Sequence, residues 1–166
     1  MTKKYLSYDK ALRKLQAYCA YQERCHQEVR QKLLDLGIYG DDLDQIIAEL
    51  IEDNFLNELR YAIAFAGGKF RVKKWGRRKI ERALKQNRIS DYCIRKALAS
   101  ELPEADYHAT LLQVLHKKNR LLNARNDYER RQKLALYALD RGYESSLVWK
   151  MVRELDLTDG DVEEDV

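Results

Sequence analysis

One helical pattern occurs three times along the chain, and this repetition restricts the possible folds more than any other feature of the sequence. In the first copy it contains Leu33, Gly37 and Ile38; the equivalent positions lie 51 residues later in the second copy and another 54 residues later in the third. Internal repeats of this length are typical of supersecondary units that bury their apolar faces against their neighbours. The apolar positions that coincide downstream are Leu43 with Ile94 and Val148, Ile46 with Ala97 and Met151, and Ile47 with Leu98 and Val152.

Each copy is predicted to contain three helices. The segment DDLDQIIAELIEDNFL, which begins at Asp41, places leucine and isoleucine at the i, i+3, i+4 and i+7 spacing of one apolar helical face. Only one proline and seven glycines interrupt the chain, and these are the residues that break helices. The helices predicted with bounds are 8–22 in the first copy, 58–74, 77–87 and 91–100 in the second, and 104–122, 127–141 and 145–155 in the third.

The N-cap residues and the position of the single proline support these divisions. Asp41 or Asp42 is expected to cap the last helix of the first copy, and Ser90 and the pair Glu144-Ser145 are expected to supply the N-caps of the last helices of the other two copies. The only proline, Pro103, separates the second copy from the third, where a helix must stop. No strand is predicted, because no long segment alternates with a period of two.

The sequence therefore predicts an all-α chain of three tandem three-helix repeats that form an elongated, curved array. The predicted divisions are repeat 1 at 1–56, repeat 2 at 57–102 and repeat 3 at 103–155, followed by an acidic tail at 156–166 that we expect to be disordered. A single compact helical bundle is the alternative that the pattern leaves open.

The residue types used in catalysis and metal binding are scattered. The three histidines are far apart, and the three cysteines match neither a disulfide framework nor a zinc signature. The stretch AGGKF, from Ala66 to Phe70, lacks the first glycine and the Ser/Thr of a phosphate loop, so its two glycines are expected to permit close packing or a bend. We expect no enzyme activity, no cofactor and no metal. With no secretory or membrane-spanning segment visible, a cytoplasmic protein with reduced thiols is expected.

Positive charge is concentrated in one part of the chain. The segment Lys69–Arg88 contains ten Lys/Arg residues and one acidic residue, Glu81, whereas Glu154–Val166 contains seven carboxylates and no Lys or Arg. Such a basic body attracts a polyanion. The predicted main binding face is Lys73, Lys74, Arg77, Arg78, Arg82 and Lys85. A weaker second patch is Lys117, Lys118, Arg120, Arg130, Arg131 and Lys133, which Asp127 and Glu129 are expected to neutralise in part.

The main face lies around the start of a predicted helix. Arg77 and Arg78 lie near its N-terminus, where the helix dipole disfavours cations, so these charges are expected to serve a purpose other than helix stability. Backbone N–H groups there are expected to help hold a phosphate or carboxylate. Trp75 is a candidate for stacking on a base, although packing within its own repeat is favoured. An ordinary solvated basic face is the alternative.

Three stretches of the chain contain a set of motifs in a fixed order. They are NFLNELRYAIAFAGGKFRVKKWG, RRKIERALKQNRIS and QKLALYALDRGY, with the steps Phe55-Leu56-Asn57, Trp75-Gly76 and Arg141-Gly142-Tyr143. In these motifs the chain resembles RecX-family regulatory proteins, the modulators of the RecA recombinase. The resemblance covers about residues 8–155. Two positions depart from the family pattern: Arg77 replaces a common proline, and Arg88 replaces a glycine, a change expected to alter the turn because side chains resist positive φ.

This resemblance implies an interaction protein rather than an enzyme. RecX proteins bind within the groove of RecA–DNA filaments and suppress the ATP hydrolysis and strand exchange of RecA. The implied partners are the RecA filament and DNA, the latter contacted through its phosphates, and a monomer is expected. Two alternatives remain: a stand-alone nucleic-acid-binding protein with little sequence preference, and a helical adaptor for another acidic protein.

Overall fold

The computed structural model describes residues 6–160, and within that range it contains nine α-helices, one short 3-10 helix and no strand. The all-α prediction is confirmed. Both ends of each helix that was predicted with bounds lie within two residues of the observed ends. The helices are α1 Tyr8–Tyr21, α2 His26–Asp35, α3 Gly40–Glu52, α4 Glu58–Lys73, α5 Arg77–Gln86, α6 Asp91–Glu101, α7 Glu104–Leu121, α8 Asp127–Asp140 and α9 Ser145–Glu154; the 3-10 helix is Leu157–Gly160.

The first three helices pack around one apolar core. The stripe predicted on α3 faces this core through Leu43, Ile46 and Leu50, whereas Ile51 at its edge is 45% exposed. Helix α1 contributes fully buried residues, including Leu15, to the same cluster. Burying apolar side chains of this kind is the main favourable contribution to folding, roughly 1.5–3 kcal/mol for each fully buried Leu, Ile or Val. The apolar period therefore determined which face of α3 is inside.

The two compact units of the structure do not coincide with the three repeats predicted from the sequence. Residues 6–64 and 84–97 belong to one compact unit, and residues 65–83 and 98–160 belong to the other. Helices of the second predicted repeat contribute residues to both units. The predicted repeat boundaries describe sequence similarity rather than compactness, and they stay a prediction.

The predicted cap of α3 is wrong. The helix begins at Gly40, and the N-cap is Tyr39, whose side chain makes no capping hydrogen bond. Asp41 and Asp42 consequently lie inside the first turn. Carboxylates in that position interact favourably with the positive end of the helix dipole but do not cap the helix.

The caps predicted for α6 and α9 have different outcomes. Ser90 caps α6, because its Oγ accepts a hydrogen bond from the Cys93 N–H at 3.4 Å. Glu144 occupies the N-cap position of α9 but makes no side-chain capping bond. Its carboxylate instead binds the side chains of Arg77 and Tyr107.

The acidic tail begins with an ordered turn. Leu157–Gly160 form the 3-10 helix, which packs against α7. The buried side chain of Asn119 on α7 donates a hydrogen bond to the Leu157 carbonyl at 3.4 Å. The disorder predicted from residue 156 onwards therefore does not apply to this turn, and residues 161–166 lie outside the described part of the chain. Within the described residues, no helix has the length and apolarity needed to cross a membrane.

Two glycines bring distant turns of one unit into backbone contact. Gly76 precedes α5 and donates its N–H to the Arg141 carbonyl at 2.8 Å, while the Arg78 N–H donates to the Gly142 carbonyl at 2.9 Å. A Cβ atom added to Gly76 would lie 2.4 Å from the Gly142 carbonyl carbon and oxygen. Gly142 itself has φ +97°, in the left-handed region that favours glycine. Neither position has room for a side chain.

The glycine pair on α4 contains one packed residue and one unpacked residue. A Cβ atom on Gly67 would lie 2.6 Å from Arg71 Nη2 and 2.8 Å from Glu101 Oε2, so close packing explains this glycine. A Cβ atom on Gly68 would meet no atom within 4 Å. Glycine within a helix costs about 0.8–1.0 kcal/mol relative to alanine, and no packing contact offsets that cost at Gly68.

Gly76→Ala is expected to lower the free energy of unfolding by about 2–4 kcal/mol, because the new methyl group would overlap the Gly142 peptide. Gly68→Ala makes the same chemical change where space is free, and it should raise the free energy of unfolding by about 0.5–1 kcal/mol. Thermal unfolding followed by circular dichroism measures both. Equal shifts of the two variants would contradict the close approach at Gly76.

Candidate binding surface

The predicted main face spans the end of α4, the turn at residues 74–76 and the start of α5. Lys73 is the last residue of α4, where the helix dipole favours a cation, and α5 begins at Arg77. Lys73, Arg78 and Arg82 are exposed, whereas Lys74 is half-buried. The structure places these residues in one compact unit.

Arg77 occupies an ion-pair network. Its guanidinium donates to Glu144 Oε2 at 3.1 Å and to Glu104 Oε1 at 2.7 Å, and it lies 3.8 Å from the centroid of the Tyr107 ring. The Tyr107 hydroxyl donates to Glu144 Oε1 at 2.6 Å. Burial, together with this bond to a carboxylate, raises the Tyr107 pKa well above its usual value. The segment around Arg77 contains little acidic charge, but Arg77 pairs with carboxylates that are distant in sequence, one from α7 and one from the N-cap of α9.

Two of the backbone N–H groups expected to help hold a phosphate or carboxylate at the start of α5 already have partners. The Arg77 N–H donates to the Tyr107 hydroxyl at 3.1 Å, and the Arg78 N–H donates to the Gly142 carbonyl. The first turn of a helix attracts anions through N–H groups that have no partner inside the helix. Since two of these groups on α5 already have partners within the chain, they are not available to an added phosphate.

Trp75 packs within its own chain. Its half-buried ring lies between two ammonium groups: Lys69 Nζ is 4.8 Å and Lys79 Nζ 4.6 Å from the ring centroid. Each cation–π contact is worth about 0.5–1 kcal/mol at a partly exposed site. The favoured interpretation of Trp75, packing rather than base stacking, agrees with this geometry.

The turn that carries Lys74 is fixed by side chains from the turn between α8 and α9. Arg141 donates to the Lys73 carbonyl, and the buried Tyr143 hydroxyl donates to the Lys74 carbonyl at 2.9 Å. Lys74 itself has φ +58°, which a side chain rarely adopts. These hydrogen bonds hold the turn in a conformation that lysine alone would not favour.

Four members of the main face have no carboxylate partner. Within the described residues, Lys73, Lys74, Arg78 and Arg82 form no ion pair, in contrast to Arg77. We call these four cations the α4–α5 surface. Lys85 is also exposed on α5 but belongs to the other compact unit, so its part in this surface stays a prediction.

Two arginines of the second patch hold the ends of helices. Arg130 Nη1 donates to the Asn119 carbonyl at 2.9 Å, to Asn119 Oδ1 at 3.0 Å and to the Leu122 carbonyl at 3.1 Å. Arg131 donates to the carbonyls of Val152 and Leu155. The carbonyls at a helix end have no partner within the helix, so these arginines complete the ends of α7 and α9.

The remaining members of the second patch are partly neutralised or exposed. Lys133 Nζ lies 3.2 Å from Glu129 Oε1, as the sequence suggested, and donates to the Asn123 carbonyl at 2.9 Å. Hydrogen bonds, first of all from the Arg125 side chain, lower the Glu129 pKa. Lys118 Nζ lies 4.6 Å from the centroid of the Tyr137 ring. The exposed members of the patch are Lys117, Arg120 and Lys133.

The cysteine thiols are buried. Cys19, Cys25 and Cys93 are all free, and burial raises the Cys19 pKa to about 11. A thiol with such a pKa is protonated and unreactive at neutral pH. Among the described residues, no three His, Cys, Asp or Glu side chains converge as metal ligands.

Comparison with known proteins identifies the family. The family model for the second three-helix domain of RecX matches residues 57–98, and the model for the third three-helix domain matches residues 104–152. A regulatory protein RecX of Prosthecochloris aestuarii is 30% identical over 146 residues, which cover 88% of this chain and 93% of that relative. The chain belongs to the RecX family.

Other RecX proteins are similar to this chain in sequence or in fold. The RecX of Clostridium perfringens is 30% identical over 80% of this chain, which spans only 62% of that relative's length. The crystal structure of RecX from Lactobacillus salivarius has a TM-score of 0.78, with 24% identity, and covers 90% of this chain and 97% of that one. A second crystal structure of a regulatory protein RecX has a TM-score of 0.79, with 22% identity, 89% coverage of this chain and 72% of its own. These similarities support the predicted array of three-helix repeats.

Arg77→Met is expected to lower the free energy of unfolding by about 1–3 kcal/mol, because it leaves the partly buried Glu144 carboxylate and Tyr107 without their cation. Arg78→Met removes the same charge from an exposed side chain and should change stability by less than about 0.5 kcal/mol. A double-mutant cycle with Glu144→Gln, followed by chemical denaturation, measures the coupling. Additive effects in that cycle would show that the contact contributes nothing.

Tyr143 is expected to make stability depend on alkaline pH. Burial raises its pKa from 10.0 to about 12, so its contribution to stability is complete below about pH 10 and is lost as the pH rises through 12. Tyr143→Phe should lower stability by about 1–2 kcal/mol at neutral pH, because the Lys74 carbonyl loses its donor. Chemical denaturation measures the free energy of unfolding of both proteins across pH 8–12, roughly the range that brackets these pKa values. Plotted against pH, the two free energies should converge as the pH rises. Parallel curves would contradict the assignment.

Proposed function

We propose that this RecX-family chain binds RecA–DNA filaments, within the filament groove, and inhibits ATP hydrolysis and strand exchange by RecA. In this way it modulates recombination and DNA repair. Family membership carries the proposal: the two matched three-helix domains and the relative from Prosthecochloris aestuarii are RecX by name. The protein acts as a monomer in the cytoplasm, where such filaments form.

The α4–α5 surface supplies the charge for this binding. Exposed cations without carboxylate partners remain available to the phosphates of the filament DNA or to acidic side chains of RecA. Arg77 has a positioning role, because its ion pairs fix the start of α5, which carries Arg78 and Arg82. The backbone hydrogen bonds to Gly142 hold the same segment. Binding therefore uses a surface that is rigid before the partner arrives, which limits the entropy lost on association.

The proposal is tested by the ATPase activity of the cognate RecA on single-stranded DNA, with this protein titrated at two salt concentrations. Inhibition at well below one molecule per RecA, persisting at the higher salt, is expected if the protein blocks filament growth or caps filament ends. Binding through phosphates alone weakens steeply with salt. Inhibition that requires enough protein to coat the DNA, and disappears with salt, would contradict filament-specific binding.

The second candidate function is stand-alone binding of nucleic acid, which the uncompensated cations of the α4–α5 surface favour. It predicts DNA binding with a strong salt dependence and no effect of RecA on affinity. Affinity for naked single-stranded DNA and for RecA-coated DNA, measured under the same buffer conditions, separates the two functions. Tighter binding to the coated DNA supports the RecA modulator.

Simultaneous Lys73→Glu, Arg78→Glu and Arg82→Glu substitutions are expected to weaken inhibition of RecA at least about tenfold, because three reversed charges repel phosphates and acidic side chains. The matched control reverses Lys10, Arg13 and Lys14, three exposed cations on α1, and changes the net charge equally. Inhibition titrations of both variants are compared, with thermal unfolding as the check on folding. Equal losses would mean that net charge, not this surface, determines binding.

A further inference from the structure

A third basic surface lies at the start of α6, and none of its residues belongs to the predicted main face or to the second patch. It contains one aromatic residue and three cations, and we call it the α6 surface. Tyr92 is 57% exposed, and the cations around it are also exposed. The members of the α6 surface are Arg88, Tyr92, Arg95 and Lys96.

Helical spacing places the cations of α6 next to the aromatic ring. Arg95 and Lys96 lie three and four residues after Tyr92, which are the positions that neighbour it on a helix surface. Lys96 Nζ is 5.6 Å from the centroid of the Tyr92 ring. Arg88 lies in the connection that leads from α5 into α6, four residues before Tyr92. The ring is thus flanked by positive charge on both sides along the chain.

The side chains of the two arginines in this surface have no polar partner in the part of the chain that the structure describes. Within the described residues, the side chains of Arg88 and Arg95 form neither a hydrogen bond nor an ion pair. In contrast, Arg77 and Arg130 each make several such contacts. Arginines that stabilise this fold are recognised by their hydrogen-bond and ion-pair partners, and no such partner of the Arg88 or Arg95 side chain is found among residues 6–160.

Arg88 also occupies its position at an energetic cost. Its φ is +59°, in the left-handed region, and the turn is closed by hydrogen bonds from Arg88 N–H to the Lys85 carbonyl and from Ile89 N–H to the Leu84 carbonyl. Glycine adopts this conformation without strain, whereas a side chain does not. The expectation that Arg88 alters the turn is therefore wrong, because the turn keeps its positive φ. A strained residue whose side chain forms no hydrogen bond or ion pair with the described residues is a reason to look for a ligand.

We propose that the α6 surface binds single-stranded nucleic acid, with a base stacked on Tyr92 and neighbouring phosphates bound by Arg88, Arg95 and Lys96. Aromatic rings set among cations are the usual elements of single-strand binding, since every base offers a face for stacking and every nucleotide a phosphate. Duplex DNA hides its base faces inside the stack, so it cannot use the ring. A solvated helix face would explain the charges but not the strained arginine or the exposed ring.

A protein partner is less consistent with this surface than a nucleic acid. Protein interfaces have apolar centres from which charged residues are depleted. Here three cations lie near one ring along the chain. The carboxylates at the start of the helix are Asp91, in its first turn, and Glu58, which accepts a hydrogen bond from the Ser90 N–H at 2.6 Å. Binding at the α6 surface rests on the DNA-binding part of the proposed function. Its test omits RecA, so that binding of nucleic acid and inhibition of RecA can fail separately.

The test is fluorescence anisotropy of a labelled oligothymidylate with the full chain, in the absence of RecA. Tyr92→Ala should weaken binding roughly 5- to 100-fold, the effect of losing one stacked base. Tyr92→Phe keeps the ring and should bind like the unaltered chain. Tyr128→Ala is the matched control, because Tyr128 is 75% exposed on α8, and it should change affinity less than twofold. Arg88→Gln and Arg95→Gln should each reduce the slope of log affinity against log salt by about 0.7.

Arg88→Gly separates a binding role from a structural one. Glycine suits the positive φ, so this variant should raise the thermal midpoint by roughly 2 °C while weakening binding to the oligothymidylate. A residue with a purely structural role would not move stability and affinity in opposite directions. Unchanged affinity in Arg88→Gly and Tyr92→Ala would overturn the proposal.

Two other results would also overturn it. If Tyr92→Ala weakens duplex and single-stranded DNA equally, the ring does not stack on a base. If Tyr92→Ala leaves oligothymidylate binding intact but weakens inhibition of RecA, the surface contacts protein instead. If RecA is unaffected by the unaltered chain while the oligothymidylate results hold, the proposed function fails and the α6 surface stands.

Discussion

The approach of Gly76 to Gly142 is the constraint on which one compact unit of this protein depends. Two peptide backbones can lie this close only where neither residue carries a Cβ atom. Once they are in contact, the neighbouring side chains come within reach of each other: Arg77 pairs with Glu144, and Tyr143 bonds to the backbone of the turn before α5. The absence of a Cβ atom at Gly76 and Gly142 thus determines where the positively charged start of α5 lies within this unit.

The arginines of this chain serve two different purposes, and their partners distinguish them. Arg130 and Arg131 donate to carbonyls at the ends of α7 and α9, where unsatisfied acceptors would otherwise be costly. Arg78, Arg82 and Arg95 are exposed and have no such partners in the described part of the chain. Counting basic residues therefore overestimates a binding surface, because some of the charge is already used inside the protein.

The helices could be predicted from the sequence because their signal is local. Apolar spacing within about ten residues defines each helix, and the three copies reinforce one another. Features that depend on one residue were less predictable: α3 starts at Gly40 rather than after Asp41 or Asp42, because the first hydrogen bond of a helix depends on backbone geometry as well as on the cap side chain.

The candidate site was only partly predictable, because charge is visible in a sequence but ion pairing between distant segments is not. The carboxylates that bind Arg77 lie 27 and 67 residues further along the chain, at Glu104 and Glu144. No local pattern connects them. Tyr92 and its flanking cations, in contrast, lie at helical spacing within one short stretch, so this surface has a local signal in the sequence.

The network around Arg77 also bears on how related sequences can differ. Proline, which the family resemblance leads us to expect at this position, suits the first position of a helix, but it has no N–H group to donate to the Tyr107 hydroxyl and no cation for Glu144. An exchange between arginine and proline at this position therefore changes what its neighbours require. Residues 77, 104, 107 and 144 are expected to co-vary among homologues, so that the arginine is inherited together with its acidic and aromatic partners rather than alone.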